Sequence, residues 1–574
     1  MGFFPPFRLC MKLPIYFFSV VLLVFSTALH SATQEGAFSS KGMVVSRSSL
    51  ASNAGLEIMR QGGNAVDAAV ATAFALAVTY PSAGNLGGGG FALVRVPDGR
   101  IFSLDHRETA PNASHRDMYL DEAGEPNKYL SRFSALSSGV PGTVDGLLTL
   151  LNRFGSMPRE KVILPAIRLA RDGFLVDFFL SRHIKKYGKK LKDYESSEKK
   201  FSRNGVPLAA GDLWIQPDLA KTLLAISEKG RDGFYDGAVA NLIVTEMKAR
   251  GGIISLQDLK NYRSVWRDPV GIDYRGNQIW TMGPPSSGLL ILQMLNMLEP
   301  FDLQKLGWGS SKLIHLMIEA EKRAYSDRAE YLGDPDFFDV PLEILTSKKY
   351  AEKRFQDFKW DRLSESEKIS HGNIKDRDSR ETTHFSVMGS DGMAVSFTTT
   401  LNSPYGNKIV VPGAGFLLNN EMDDFSIKAN VMNQFNLIGR EANSIEPNKR
   451  MLSSMSPTIV VKDGLPILVT GSPGGSTIIT TVLQVIINFL DHKMPLNEAV
   501  GFPRFHHQWK PDTILHERGT FSPDTRENLE KLGYTEFRAW SFGGGIGDAN
   551  SISFDGSLIH GVKDPRASGG AAGL

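Results

Sequence analysis

Residues 381–402 read ETTHFSVMGSDGMAVSFTTTLN. His384 to Val387 and Met393 to Leu401 are rich in β-branched and aromatic residues, and they flank Gly389-Ser390-Asp391-Gly392, a turn composition. The spacing predicts a β-hairpin. Immediately upstream, residues 359–381 (KWDRLSESEKISHGNIKDRDSRE) are strongly charged and poor in apolar side chains, which predicts a mobile, cleavable segment. Thr382 stands where that segment meets the first strand. If the Glu381–Thr382 bond is cut, Thr382 holds both an attacking hydroxyl and a free α-amine whose reference pKa of about 8 suits a general base. The cut can use the same chemistry: the hydroxyl attacks the preceding carbonyl, an ester forms, and water resolves it. A plain loop entering a strand is the alternative reading of the same residues.

Upstream of the hairpin the pattern is helical. From Leu50 to Thr79 small and apolar residues recur at helical spacing, broken at Gly62-Gly63, which predicts two closely packed Ala-rich helices. Gly84 to Gly90 (GNLGGGG) then opens a strand over Phe91 to Val96. Residues 146–330 read mostly as helix, with amphipathic stretches at Pro217 to Ser227, Ile253 to Tyr262 and Lys312 to Tyr331. Lys185 to Lys200 reads as a solvated helix face. With no internal repeat or heptad seam, the expectation is one continuous mixed α/β body whose β-rich part starts at Thr382.

Composition narrows the chemistry. The 574 residues carry 64 Lys+Arg against 62 Asp+Glu, a formal charge of +2, so no broad basic field awaits a nucleic acid. The single cysteine, Cys10, leaves no disulfide, cysteine zinc site or catalytic thiol for the folded body. Cys10 also falls in the leader: Arg8 and Lys12 are followed by the apolar run Leu13 to Leu29 and by small residues, which reads as a signal peptide over residues 1–32. A membrane anchor is the competing reading, but the run sits at the short end of the spanning range. The expected product is periplasmic or secreted, without a lasting membrane anchor.

No G-x-S-x-G elbow, Walker A loop or H-E-x-x-H motif occurs in the chain. Gly87 to Gly90 is better read as close backbone packing than as a phosphate cradle. His506-His507 is adjacent rather than spaced for one metal, and reads as structural.

An ordered series of segments resembles the γ-glutamyltransferase (γ-glutamyltranspeptidase) family, bacterial type. It comprises Gly87 to Phe91, Asp105 to Pro111 (DHRETAP), Ser138 to Gly142 (SGVPG), Gly283 to Gly288 (GPPSSG), Ser326 to Phe337 (SDRAEYLGDPDF), Thr382 to Ser386, Thr400 to Asn402, Phe416 to Phe425 (FLLNNEMDDF), Arg450 to Ile459 (RMLSSMSPTI) and Thr470 to Ser476 (TGSPGGS). The resemblance runs from about residue 40 to 567. It implies an N-terminal-nucleophile hydrolase αββα sandwich, self-cleaved into a large subunit, 33–381, and a small subunit, 382–574, that stay together as a heterodimer. It implies a γ-glutamyltransferase and glutathione hydrolase that passes the glutamyl group of glutathione and related compounds to water or to amino acids and peptides. The scheme calls for no cofactor and no metal.

Residue by residue, the resemblance assigns Glu381-Thr382 as the cleavage site, Thr382 as nucleophile, and Thr400 as the second threonine that contacts it. Arg107 matches the arginine that grips the substrate α-carboxylate, a task suited to a planar bidentate cation. Asn402, Glu421 and Asp424 match the group around the α-ammonium, and Ser453 and Ser454 match hydrogen-bonding partners of the α-carboxylate. Gly474 and Gly475 match the oxyanion hole. Their sequence context agrees, since bare backbone can approach a carbonyl there and Ser476 to Leu490 reads as a helix beginning at that point. His106 stands where the family usually has an aromatic residue, which concerns local packing. Residues 430–448 match a lid loop that some members have, with Phe435 where certain bacterial members carry tyrosine. A related acylase of glutaryl-type amides, and a processed but inactive γ-glutamyl-peptide-binding protein, are the alternatives.

Overall fold

Two seven-stranded antiparallel sheets stack face to face in the computed structural model, which describes residues 2, 35–372, 383–429, 431–541 and 545–574. Fourteen strands make them: β1 (Ala37–Ser39), β2 (Gly42–Ser46), β3 (Gly89–Arg95), β4 (Ile101–Asp105), β5 (Val265–Arg267), β6 (Val270–Tyr274), β7 (Asn277–Thr281), β8 (Thr383–Gly389), β9 (Ala394–Thr400), β10 (Thr458–Lys462), β11 (Leu465–Thr470), β12 (Ser551–Phe554), β13 (Ile559–Val562) and β14 (Gly570–Gly573). One sheet runs β14-β2-β8-β9-β3-β4-β5 and the other β1-β13-β12-β11-β10-β7-β6.

The two-residue period of a strand sorts the side chains into layers. Met43, Val45, Leu93, Met388 and Ala394 from the first sheet meet Ile459, Val461, Val469, Ile552 and Ile559 from the second. Their neighbours Val44, Ala92, Val94, Val387 and Val395 face the opposite way, onto α1 (Ser49–Arg60) and α2 (Ala65–Thr79). On the far side Ile279, Val460 and Leu468 pack under α3 (Gly288–Leu298), α4 (Ser311–Tyr331) and α5 (Thr477–Leu490). The layers are therefore helix, sheet, sheet, helix, as the resemblance implies.

The predicted hairpin is β8–β9, with Thr383 registered on Thr399 and Met388 on Ala394. Its turn closes through Gly389 N–H to the Met393 carbonyl at 2.9 Å, with Gly392 at φ +75°, a conformation that suits glycine. The Ala-rich stretch splits into α1 and α2 as expected, and the second helix starts on a capping box of Asn64 and Asp67. Two readings differ from the outcome. The strand expected over Phe91 to Val96 begins earlier, at Gly89, and the helical region 146–330 is interrupted by β5, β6 and β7. β5 pairs with β4 and β7 with β10, partners far along the chain, while β6 is an edge strand that, among the described residues, pairs only with β7 in a local hairpin. Residues 359–372 lack helix and strand, and 373–382, including Glu381 and Thr382, lie outside the described residues, as does the leader apart from Gly2.

Gly87 to Gly90 work by close approach, not as a phosphate cradle. A Cβ at Gly87 would lie 2.2 Å from the Leu417 carbonyl oxygen, at Gly88 1.9 Å from that of Thr400, and at Gly90 2.1 Å from that of Thr398. These obstacles are backbone, so they cannot swing aside. Gly88→Ala is expected to lower unfolding stability by about 3 kcal/mol, the upper part of the overpacking range, measured as a shift of the urea midpoint. An unshifted midpoint would show that the segment is not held against β9.

Candidate active site

Arg107 follows β4 and is fully buried, so its charge must be met by protein groups. Its Nη1 lies 2.6 Å from Glu421 Oε2 and 3.4 Å from Glu108 Oε2, and Nη2 lies 2.7 Å from Asp424 Oδ2. Nε donates to the Met451 carbonyl at 3.2 Å. Its position is fixed from behind by Asp105, which accepts from the Arg107 N–H at 2.9 Å, and by the Tyr262 hydroxyl, which donates to the Arg107 carbonyl at 2.7 Å.

Local geometry explains why Glu421 and Asp424 both reach Arg107. They are the two ends of a 3₁₀ turn, Glu421–Asp424, in which residues three apart eclipse one another. Asp423 points elsewhere, to the Ser131 hydroxyl at 2.6 Å and to Arg132. The preceding asparagines anchor the turn. Asn419 Nδ2 donates to the Gly87 and Gly139 carbonyls, each at 2.8 Å, and Asn420 Oδ1 accepts from Ser403 N–H at 2.9 Å.

One guanidinium thus faces three buried carboxylates. Burial, above all, pushes Glu108 up to about 8 and Glu421 well above the usual carboxylate range, with Arg107 pulling both down and the neighbouring acids pushing them up. Thr400 Oγ1 accepts from the Asn402 N–H at 2.6 Å. Asn402 takes the left-handed conformation, φ +70°, and its Nδ2 donates to the Asn420 carbonyl at 2.9 Å. Thr400 and Asn402, at the end of β9, are therefore tied to the backbone of Asn420, the residue before the acidic turn that brings Glu421 and Asp424 to Arg107.

Ser453 and Ser454 follow directly on Met451 and Leu452, whose carbonyls accept from Arg107. Ser453 N–H donates to the Pro285 carbonyl at 2.7 Å, and Ser454 Oγ accepts from Arg328 Nη2 at 2.8 Å. Gly474 and Gly475 adopt positive φ, +133° and +72°, just before α5. The Ser476 side chain does not cap that helix; it donates to Gln508 Oε1 at 2.7 Å instead. The two glycines lie on a different segment from the Arg107 network. Helix α4 spans the gap: the Tyr325 hydroxyl donates to the Ser476 carbonyl, and Arg328, on the next turn, reaches Ser454 and Ser287.

Glu108, Tyr325, Arg328 and Gln508 received no role from the sequence. Glu108 and Arg328 sit inside quoted segments, DHRETAP and SDRAEYLGDPDF, so the letters were visible but their partners were not. His106 fills the aromatic position as a ring, stacked on Phe397 at 4.9 Å and kept neutral by burial, which pushes it down to about 3. His506 and His507 are structural: the first bonds Thr480 and Gln508, the second Asp512. The loop 431–448 is tied down. Gln508 Nε2 donates to the carbonyls of Phe435 and Asn436 at 3.2 and 3.1 Å, Ser403 donates to Gln434 at 2.8 Å, and Arg440 pairs with Glu330.

Arg107→Met leaves Glu108, Glu421 and Asp424 buried without their cation, an expected loss of about 3–5 kcal/mol. The carboxyls then hold protons in the folded state that the unfolded chain, with ordinary values, releases. Their stabilising contribution is full below about pH 4.5 and disappears as pH rises through the raised folded values near 8 and above. Wild type shows the same decline up to about pH 8, where Glu108 ionises beside Arg107; without the cation the carboxyls stay protonated to higher pH, so the variant's deficit in urea midpoint should be flat from pH 5 to pH 7 and widen from pH 8 to pH 10. A deficit that narrows over that interval would contradict the charge arrangement.

Comparison with known proteins places the chain. A family model described as Gamma-glutamyltranspeptidase matches residues 51–574. The glutathione hydrolase proenzyme of Escherichia coli (strain K12) is 49% identical over 531 residues, which is 92% of this chain and 90% of the relative. Among solved structures, the cephalosporin acylase from Bacillus halodurans superposes with a TM-score of 0.84 at 26% identity, over 96% of this chain and 98% of its own. The Helicobacter pylori gamma-glutamyltranspeptidase is 42% identical with a TM-score of 0.57, over 60% of this chain and 97% of its own. The four-layer arrangement is that of the N-terminal-nucleophile hydrolases. With its buried arginine and acidic turn in the segments where the family resemblance lies, the chain belongs to the γ-glutamyltranspeptidase family.

Proposed function

We propose that the protein is a γ-glutamyltransferase and glutathione hydrolase matured by cleavage between Glu381 and Thr382. The observation that carries the reading is the pairing of Arg107 with Glu421 and Asp424 at the end of β9. A glutamyl head group bears one carboxylate and one ammonium, and a buried cation beside two carboxylates complements both. Ser453 and Ser454 add donors for the carboxylate, and Asn402 adds a side-chain oxygen toward the ammonium. A glutaryl side chain, which lacks the ammonium, gives Glu421 and Asp424 nothing to bind, and this disfavours the acylase reading despite the close fold of a cephalosporin acylase. The proenzyme name of the Escherichia coli relative supports maturation into two subunits, 33–381 and 382–574.

In turnover the Thr382 α-amine accepts the hydroxyl proton as Oγ bonds the γ-carbonyl carbon. The carbonyl oxygen takes negative charge and is met by the N–H groups at Gly474-Gly475, at the start of α5, an interaction whose loss typically costs about 3 kcal/mol of barrier. The carbon–nitrogen bond then breaks, the leaving amine takes the proton, and a glutamyl ester of Thr382 remains. Water, or the amine of an amino acid or peptide, attacks that ester and frees the hydroxyl. Among the described residues no helix is long and apolar enough to cross a membrane, and the leader over residues 1–32 supports export to the periplasm or medium.

Two measurements test this. Denaturing electrophoresis should show two fragments for the wild type and one uncut chain for Thr382→Ala. Purified wild type should turn over γ-glutamyl-p-nitroanilide and leave a glutaryl anilide essentially untouched. An uncut wild type, a cut variant, or preference for the glutaryl compound sinks the proposal.

The loop around Phe435 lies over α5 through Gln508 and limits entry of water to the ester. Gln508→Ala removes the clamp, so the hydrolytic share of turnover in the presence of a dipeptide acceptor should rise severalfold while maturation proceeds. An unchanged product ratio would detach Gln508 from this task.

A further inference from the structure

A cavity of about 570 Å³ opens away from the Arg107 network and shares no residue with it. Its volume falls in the range of small-molecule sites, about 300–1,000 Å³. The walls come from a helix, Glu195–Phe201, from the segment 202–219, from Arg250, and from 410–415, which lies beyond the proposed cleavage point. One side is apolar, built by Leu208, Trp214, Leu219, Val410 and Val411. The hydrophobic Leu213 and Ile215, 43% and 49% exposed, stand among the wall residues.

The charges in the cavity are unevenly matched. Lys199 is paired with Glu195, Arg203 with Asp212 at 3.8 Å, and Arg250 with Glu246. Asp218 is engaged by Lys221 at 3.3 Å. Lys200 has no carboxylate in contact among the described residues. Its ammonium donates to Gln216 Oε1 and lies 5.3 Å from the Trp214 ring centre and 5.9 Å from that of Phe201. Burial pushes it down to about 7, with Asp218 the only group opposing that shift. A half-buried amine beside aromatic rings, with no carboxylate in contact among the described residues, is placed to take a counter-anion.

We propose that this cavity is a binding site for an amphiphilic anion, a carboxylate or sulfonate on an aliphatic or aromatic body, with the anionic group on Lys200 and the apolar body against Trp214, Val410 and Val411. Occupation would also bridge segments on the two sides of the Glu381–Thr382 bond, since Lys200 and Trp214 precede it and Val410 follows it.

Decanoate is the probe, titrated calorimetrically into the purified full chain as it matures, with decanol and decyltrimethylammonium in parallel. The expected result is saturable binding of one equivalent of decanoate in the submillimolar range, unaffected by excess L-glutamate. Decanol, the decyl cation and the Lys200→Met variant should each bind at least about tenfold more weakly, and Lys200→Arg should stay within about threefold of wild type. Lys200→Met is expected to keep wild-type turnover of γ-glutamyl-p-nitroanilide. Should that variant fail to fold, Ile215→Glu, at a half-exposed position, sets a carboxylate in the cavity and should weaken decanoate equally. No saturable binding to wild type, displacement by L-glutamate, equal binding of decanol, or undiminished binding to the variant would each overturn the proposal.

Discussion

The ion cluster around Arg107 is the interaction on which the rest of the site depends. A fully buried guanidinium and three buried carboxylates cannot be assembled unless each charge meets its partner, because an isolated charge in the interior costs several kcal/mol. The cluster therefore ties together three distant segments: 105–108 after β4, the 3₁₀ turn 421–424, and the carbonyls of Met451 and Leu452. It is also unbalanced, with more carboxylates than cations. That imbalance is poor for stability, and under the proposed function the ammonium of a glutamyl group relieves it.

Around this cluster the two sheets and helix α4 act as a frame. The glycine run lets β3 begin against the Thr400 backbone, which sets the end of β9 where Asn402 can bond the backbone of the acidic turn at Asn420. Tyr325 and Arg328, one turn apart on α4, connect the start of α5 to the serines that follow Arg107's carbonyl partners. Gln508 continues the same logic outward, since one side chain accepts from Ser476 and donates to the loop at Phe435 and Asn436. The N-terminus of α5, the Arg107 cluster and the loop are thus held by a short chain of hydrogen bonds, though Arg107 lies more than three hundred residues before the other two.

Much of this was legible in the residues where the governing interaction is local. Turn chemistry at Gly389 to Gly392 marked the β8–β9 hairpin, and small-residue periodicity with a glycine break marked α1 and α2. The bare Gly474-Gly475 pair ahead of a run of apolar residues marked the start of α5. Strands β5 and β7 were not legible, because their regularity comes from partners far along the chain and not from their own alternation, and β6 pairs, among the described residues, only onto β7. Arg328, Glu108 and Gln508 escaped for a related reason: a polar side chain shows its partner only once the fold has set it down.

By itself the sequence determined the chemistry available to this protein: one cysteine, Cys10, a balanced charge, a threonine at the junction of a charged segment and a strand, and an ordered series of motifs characteristic of one family. Only the tertiary structure decided which of those residues act together. It put Glu421 and Asp424, but not Asp423, on Arg107, because a 3₁₀ turn presents every third side chain to the same side. Among the described residues it left Lys200 without a carboxylate partner in a cavity of its own, since residue types are written in the chain but the company each charge keeps is settled by packing.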